Sequence, residues 1–177
     1  PWRNKQLKLF WTNDKERYAN YIIEQKLPVS SLRSTIEGYD NNQNEIQVER
    51  SSDDSLCIQV YTSKIRSRLV DLIYETQKTL LTKIKDKTLE ELSQLHEQFE
   101  SSERQLRPIP TDLSQLSKAL VLWKKLMEDK PEIEARLTPI EEKFKLLDDF
   151  MMVFKDDEIK RRQTMRSAYD SFVTMLG

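Results

Sequence analysis

The fold is decided by residues 110–177, which contain the segments PTDLSQLSKALVLWKKLMED (110–129), KPEIEARLTPIEEKFKLLDDF (130–150) and DDEIKRRQTMRSAYDSFVTML (156–176). Each segment repeats apolar residues at steps of three and four. These residues are Leu113, Leu116, Leu120, Trp123 and Met127 in the first, Ile133, Leu137, Ile140, Phe144 and Leu147 in the second, and Ile159, Met165, Tyr169, Phe172 and Leu176 in the third. The spacing predicts three amphipathic helices whose apolar stripes pack in a core.

Prolines and capping residues predict where these helices begin and end. Pro108 and Pro110 separate residues 110–177 from the preceding sequence, and Thr111 or Asp112 is available as the next N-cap. Pro131 suits the first turn of a helix. Pro139 predicts a bend near Leu137, or two collinear short helices, because an interior proline removes a backbone hydrogen bond. Asp156 or Asp157 is the predicted cap of the last helix.

The preceding residues 63–107 predict a pair of helices with apolar stripes. The first covers residues 63–85. The second covers residues 88–106 and begins with a capping-box pattern, in which Thr88 is followed three residues later by Glu91.

Two further segments lie nearer the N-terminus. Residues 1–40 predict an aromatic-rich helical segment, with one helix over residues 5–26 and a short one over 30–39. Residues 41–62 predict a small β-hairpin turned over residues 51–54, because apolar residues alternate on either side of that turn. They are Ile46 and Val48 before it, and Leu56, Ile58 and Val60 after it. The predicted fold is therefore mainly α, an elongated bundle of amphipathic helices with one small β-hairpin.

Charge and composition exclude several classes of protein. The 29 basic and 30 acidic side chains give a net charge of −1, so no overall field favours nucleic acid or an anionic membrane. Only Gly38 and Gly177 are glycines, which rules out a glycine-rich phosphate loop. No apolar run approaches the roughly 18 residues of a membrane span. The missing initiator methionine and the unfinished last amphipathic run favour a piece of a longer protein.

We predict no catalytic, cofactor-binding or metal-binding residues in this segment. A single histidine, His96, and a single cysteine, Cys57, are too few for a zinc site without carboxylates or a second chain. His96 is expected at the edge of a helix interface, and Cys57 as a buried small residue in a strand. Adjacent acidic pairs such as Glu141 and Glu142 point in different directions on a helix, so they form no ready acid–base dyad.

The candidate partner contacts fall in two groups. Large aromatics near the N-terminus can dock on a partner, because aromatic side chains dominate interface energetics. A short basic cluster near the C-terminus can touch an acidic partner, although the preceding acidic residues offset its charge and disfavour contact with nucleic acid or a microtubule. The residues concerned are Trp2, Phe10 and Trp11 in the first group, and Arg161, Arg162 and Arg166 in the second.

The order of these segments resembles a known family. The run LSQLHEQFESSERQLRPIPTDLSQLSKALVLWKKLMEDKPEIEARLTPIEEKFKLLDDF (92–150), followed by a helix ending SAYDSFVTML (167–176), resembles the tail of dynein heavy chains, particularly axonemal ones, just before the linker of the motor. The upstream run VYTSKIRSRLVDLIYETQKTLLTKI (60–84) is similar to the same region. None of these runs is a catalytic fingerprint, so the resemblance rests on their order.

The resemblance implies that the intact protein is a very large ATP-driven microtubule motor of cilia or flagella, located in the cytoskeleton of the axoneme. It implies that this segment is tail and contains neither the ATP sites nor the microtubule-binding site. The implied partners are other dynein heavy chains, intermediate and light chains, and axonemal docking factors. No nucleic acid or membrane is implied.

Two other interpretations compete with this one. A spectrin-like or tethering-factor helical scaffold without a motor fits the amphipathic helices, but such arrays are helical throughout and have a constant repeat, which this sequence lacks. An enzyme with an unrecognised site is the least favoured, because no motif supplies its chemistry.

Overall fold

A computed structural model describes residues 15–48, 52–55, 58–61 and 63–176. Its elements are α1 (Lys15–Glu24), α2 (Val29–Val48), β1 (Ser52–Ser55), β2 (Ile58–Tyr61), α3 (Ser63–Leu106), α4 (Leu113–Asp149) and α5 (Asp156–Leu176). The described residues are therefore mainly helical, as the sequence predicts.

The β-hairpin does not form as predicted. Ile46 and Val48, its expected first strand, lie in α2, which continues through the polar run after Gly38. A contact with α3 supports the helix in this run, because Asp40 accepts a hydrogen bond of 2.8 Å from Gln77 Nε2, and Tyr39 beside it is buried. The strand pairing that the structure does contain is displaced toward the C-terminus. It joins β1 and β2 antiparallel, with Ser52 opposite Tyr61 and Ser55 opposite Ile58.

α3 is one helix where the sequence predicts a pair. It runs through Thr88, the expected cap of a second helix, and the Thr88 side chain is fully buried. Residues 63–106 contain no glycine or proline, so no residue in this stretch forces the backbone to leave the helix. Thr88 and Glu91 therefore lie inside a continuous helix and do not cap one.

α4 is also a single helix, so the predicted alternative of two collinear short helices is wrong, while the bend near Leu137 stays a prediction. Pro131 and Pro139 both lie inside it, although each interior proline costs about 3 kcal/mol by removing a backbone hydrogen bond and crowding the preceding turn. Burial of Ile133 and Ile140 on the same stretch of the helix offsets this cost. The predicted N-cap is confirmed, since the Asp112 side chain accepts the Gln115 N–H at 2.8 Å.

The residues after α4 close it with a Schellman motif. The N–H of Met151 donates to the carbonyl of Asp148, and the N–H of Met152 donates to that of Leu147, both at 2.9 Å. Met151 has a φ of 54°, the left-handed conformation that glycine adopts most easily at this position.

α5 begins at Asp156, so the predicted caps Asp156 and Asp157 are helical residues and the cap position falls on Lys155. Asp156 and Asp157 occupy its first turn, while the carboxylate of Glu158 accepts the backbone N–H of Lys155 at 2.7 Å. Acidic residues in a first turn favour the positive end of the helix dipole.

The chain divides into two compact units, Pro1–Ile84 and Lys85–Gly177. In the described part of the first unit, the buried apolar residues are Ala19, Leu32, Ile36, Tyr39, Ile73, Leu80, Leu81 and Ile84. The core of the second unit is a cluster of Leu92, Leu95, Phe99, Leu126, Ile133, Ile140, Phe144, Met165, Phe172 and Leu176. The four-part division into residues 1–40, 41–62, 63–107 and 108–177 stays a prediction.

Candidate functional site

The second unit is built from the C-terminal part of α3, α4 and α5. Lys143 Nζ lies 2.7 Å from the Glu91 carboxylate, and Arg136 donates to Gln98 at 3.4 Å. The contact residue on α3 advances by seven, from Glu91 to Gln98, while its partner on α4 moves back by seven, from Lys143 to Arg136. The two helices are antiparallel, with a register fixed by polar contacts beside the apolar core.

α5 runs antiparallel to α4 on the same core. Arg162 makes a bidentate pair with Asp148, with N–O distances of 2.9 and 2.6 Å. Farther along α5, Arg166 Nε lies 3.2 Å from the Glu141 carboxylate. At the end of α5, the indole N–H of Trp123 donates to the carbonyl oxygen of Leu176 at 2.9 Å. These contacts follow the two helices from one end of α5 to the other.

Aromatic side chains fill the core between α3 and α5. The rings of Phe99 and Phe172 stack with their centroids 4.9 Å apart, and Tyr169 lies 6.2 Å from Phe99. At the other end, Phe144 and Phe154 have centroids 5.8 Å apart. Such pairs add about 0.5–1.5 kcal/mol each beyond their burial. The prediction that Phe144 and Phe172 pack in a core is confirmed.

The basic cluster predicted as a partner contact is partly engaged inside this unit. Arg162 pairs with Asp148 and also lies over the Phe144 ring, 5.0 Å from its centroid, while Arg166 pairs with Glu141. Arg161 is exposed. Contact of these three residues with a partner stays a prediction, but Arg162 and Arg166 have structural partners on α4 that the sequence alone did not reveal.

The remaining candidate residues can be placed only in part. Trp2, Phe10, Trp11 and Cys57 lie outside the described residues. His96 is partly buried in α3, as expected for the edge of an interface, and its Nε2 is buried without a hydrogen-bond partner.

The described residues contain few features of a chemical site. Within residues 15–48 and 63–176 and the two short strands, no group of three or more His, Cys, Asp or Glu side chains is placed to hold a metal ion. A depression of about 600 Å³ lies along one face of α5, lined by Ser167, Asp170, Ser171, Thr174 and Met175. None of the described helices combines the length and apolar character needed to cross a bilayer.

The most unusual surface is the N-terminal part of α4, residues 113–122, which we call the α4 arm. Its apolar residues Leu113, Leu116 and Leu120 are 83%, 43% and 56% exposed. Trp123 and Met127, next on the same stripe, are exposed as well. The sequence predicts core packing for this stripe, and that prediction is wrong for the arm within this chain. Periodicity identifies an apolar face but not the element that covers it.

One ion pair joins α3 to the first turn of α5. Lys85 Nζ lies 3.2 Å from the Glu158 carboxylate and 3.4 Å from the backbone oxygen of Val153. Although burial of Glu158 acts to raise its pKa, the hydrogen bonds from the Lys155 N–H and from Lys85 prevail and hold the pKa below its usual range. The start of α5 is thereby attached to α3.

Comparison with known proteins gives a consistent result for this region. The family model described as "Dynein axonemal heavy chain 2/5/8 coiled-coil" matches residues 78–177. Over 166 residues, or 94% of this chain, the sequence is 23% identical to "Dynein axonemal heavy chain 2" of Mus musculus. It is also 23% identical over 172 residues, 97% of the chain, to the "Dynein-1-beta heavy chain, flagellar inner arm I1 complex" of Chlamydomonas reinhardtii. In both cases the chain spans only 4% of the length of the relative.

Proposed function

The chain belongs to the family of axonemal dynein heavy chains, and from this premise we propose that it is a tail segment with a structural, force-transmitting role. The intact protein would be an ATP-driven microtubule motor that moves cilia or flagella. Its ATP and microtubule sites would lie outside these 177 residues. Family membership indicates a location in the ciliary or flagellar axoneme.

The observation that carries this proposal is the family match over residues 78–177, which nearly coincides with the second compact unit, Lys85–Gly177. The matched residues form antiparallel helices around one apolar core, fixed by ion pairs that join α3 to α4 and α4 to α5. Close-packed interiors deform little under load. A bundle of this kind is suited to transmitting displacement along a tail.

We further propose that the unit packs against other heavy chains or against intermediate and light chains. Leu113, Leu116 and Leu120 of the α4 arm are exposed apolar residues, and Arg161 is an exposed cation. Exposed apolar residues in a contiguous stripe are typical of interaction sites.

The mechanical role is tested by disrupting the core in the intact heavy chain. Phe144→Asp places an unpaired charge among buried side chains, which should unfold the unit locally. Val153→Asp is the matched control, because Val153 is exposed. We expect the purified Phe144→Asp heavy chain to keep its microtubule-stimulated ATPase while axonemes carrying it lose assembly or beating. Normal beating would refute the mechanical role, and loss of ATPase in the purified chain would indicate a direct part in catalysis.

The scaffold interpretation is tested by the mass of the native polypeptide. An antibody against residues 111–150 should detect a polypeptide far larger than 177 residues that is enriched with purified cilia or flagella. A band near the size of this chain would favour a small helical adaptor.

A further inference from the structure

We propose that the α4 arm binds an acidic amphipathic helix of a partner subunit, in which aspartate or glutamate side chains border an apolar stripe. The partner helix would belong to one of the heavy, intermediate or light chains against which the unit is proposed to pack, so the proposal rests on that proposed function. The chemistry of the partner follows from two properties of the arm, an exposed apolar face and a basic edge.

The arm presents four exposed apolar side chains on one side of α4. They are between 43% and 83% exposed, and they are Leu113, Leu116, Leu120 and Val121. Each lies one helical turn or one position from the next, so the four side chains are contiguous. The core contacts of this part of α4 are made instead by Leu122 and Leu126. The arm therefore carries a second apolar surface, separate from the core, and such surfaces are typical of interaction sites.

Lysine side chains border this apolar surface along one edge. Lys118, Lys124 and Lys125 each lie three or four residues from Val121, so they are its neighbours on the surface of the helix. All three are exposed, and none of them is paired with a carboxylate in the described part of the chain. Residues 113–127 contain no aspartate or glutamate. The charge of the lysines is therefore available to an acidic partner.

The contacts inside the second unit indicate which kind of element suits this surface. Lys143 of α4 lies 2.7 Å from Glu91 of α3, and Arg162 of α5 lies 2.6 Å from Asp148 of α4. At both helix–helix contacts a basic side chain meets a carboxylate beside the apolar core. Apolar residues at steps of three and four form ridges and grooves into which another helix packs. A helix with carboxylates over the lysine edge complements the arm in both shape and charge.

A second copy of the chain and a lipid membrane are poorer occupants. Two copies joined through the arm would bring lysines close to lysines, and like charges across an interface disfavour association. An anionic membrane would attract the lysines, but only four apolar side chains would enter it. The net charge of −1 also gives the chain no overall attraction to such a surface.

The test is zero-length cross-linking of the intact heavy chain, extracted from axonemes together with its associated subunits. A carbodiimide joins lysine ammonium groups to carboxylates that are in direct contact with them. We expect it to join Lys118, Lys124 or Lys125 to aspartate or glutamate residues of a second kind of polypeptide. Those residues should lie in a stretch whose apolar residues recur at steps of three and four. The pair of Lys143 and Glu91, at 2.7 Å, is the internal control for the reaction.

Three results would overturn the proposal. One is the absence of cross-links from the three lysines in a sample in which the control pair has reacted. Another is cross-linking of the lysines only to carboxylates of the same heavy chain or of a second copy of it. The third is recruitment of the extracted complex to phosphatidylserine vesicles that is lost in Lys124→Glu, since this would identify a membrane as the occupant.

Matched variants test whether charge recognises the partner. In the heavy chain with its subunits, the double variant Lys118→Glu and Lys125→Glu reverses the basic edge of the arm. We expect amide hydrogen exchange of residues 113–122 to become at least about fivefold faster, because a less tightly bound helix protects the arm less. Lys145→Glu is the control, because Lys145 is exposed on α4 outside the arm, and it should leave this exchange unchanged. Unchanged exchange in the double variant would overturn the proposal.

Failure of this proposal can be distinguished from failure of the proposed function. If Phe144→Asp abolishes assembly or beating while the double variant leaves arm exchange unchanged, the mechanical role stands and the acidic helix is refuted. If axonemes with Phe144→Asp beat normally, the mechanical role is refuted whatever the arm binds.

Discussion

Lys85 and Glu158 form an ion pair of 3.2 Å whose side chains are only 13% and 15% exposed, and it joins α3 to the first turn of α5. Glu158 also accepts the backbone N–H of Lys155, and the Lys85 ammonium lies 5.7 Å from the centre of the Phe154 ring. One carboxylate therefore caps α5 and fixes that helix to its neighbour.

This pair predicts a loss of stability in acid. The folded state holds the pKa of Glu158 below its ordinary value of 4.5. The contribution of this ion pair to the free energy of unfolding should therefore be complete above pH 4.5. It should decline as the pH falls toward the lower pKa that Glu158 has in the folded state. We expect Glu158→Gln to cost roughly 1–2 kcal/mol at pH 7, and the difference from the wild type to shrink below about pH 4.5. Urea unfolding between pH 7 and pH 3 measures this, with the exposed Glu128→Gln as control. A constant difference across the range would contradict it.

Replacing Met151 with glycine should stabilise the fold. Its φ of 54° is strained for a residue with a Cβ, and its side chain is 88% exposed, so little packing is lost on substitution. We expect Met151→Gly to raise the free energy of unfolding by roughly 0.5–1 kcal/mol, since glycine adopts this conformation without steric cost. Thermal unfolding measures the gain. Met151→Ala is the control, because alanine retains the Cβ, and an equal gain from it would show that the strain is not the cause.

Replacing Pro139 with alanine should stabilise the fold. The proline is exposed inside α4, so replacing it restores a backbone hydrogen bond to the carbonyl of Ala135 without removing buried surface. We expect Pro139→Ala to stabilise the second unit by about 1–3 kcal/mol, measured by denaturant unfolding. Unchanged or reduced stability would show that packing in α4 depends on a local distortion at this proline.

The sequence predicts the helices better than their junctions. Period and cap chemistry identify α4 and its N-cap Asp112, because both depend on residues close in the chain. They miss the continuity of α3 through Thr88 and of α4 through Pro139. In both cases burial against other helices outweighs a local preference to stop, and local patterns carry no information about such burial.

The same distinction applies to the candidate surfaces. Charge alone marks Arg162 and Arg166 as contacts for a partner, but the structure pairs them with Asp148 and Glu141. These partners lie 14 and 25 residues away in sequence. Conversely, the arm stripe has the same periodicity as the buried stripe. Periodicity therefore does not distinguish the exposed stripe from the buried one.

Gly38 offers a test of the continuation of α2 beyond residue 39, the end of the helix that the sequence predicts. It lies inside that helix, and a Cβ added to it would meet no other atom within 4 Å. If residues 38–48 are helical, Gly38→Ala should stabilise the first unit by roughly 0.5–1 kcal/mol through helix propensity and a less flexible unfolded chain. Hydrogen exchange of residues 29–48 and thermal unfolding measure the effect. Destabilisation by Gly38→Ala would contradict a helical conformation at this position.

Phe144 should be among the most costly core residues to truncate. It is 1% exposed, its ring contacts Phe154, and the Arg162 guanidinium lies over it. Phe144→Ala removes the apolar contacts and leaves a cavity. It also removes the aromatic ring that lies under the Arg162 guanidinium. We therefore expect the free energy of unfolding to fall by about 3–5 kcal/mol. Phe144→Leu, which retains much of the volume, should cost less than half of that. Denaturant unfolding measures the loss of stability in both variants, with Met127→Ala at an exposed position as the control. A loss for Phe144→Ala no larger than that for Met127→Ala would mean that this side chain is not in the core of the folded chain.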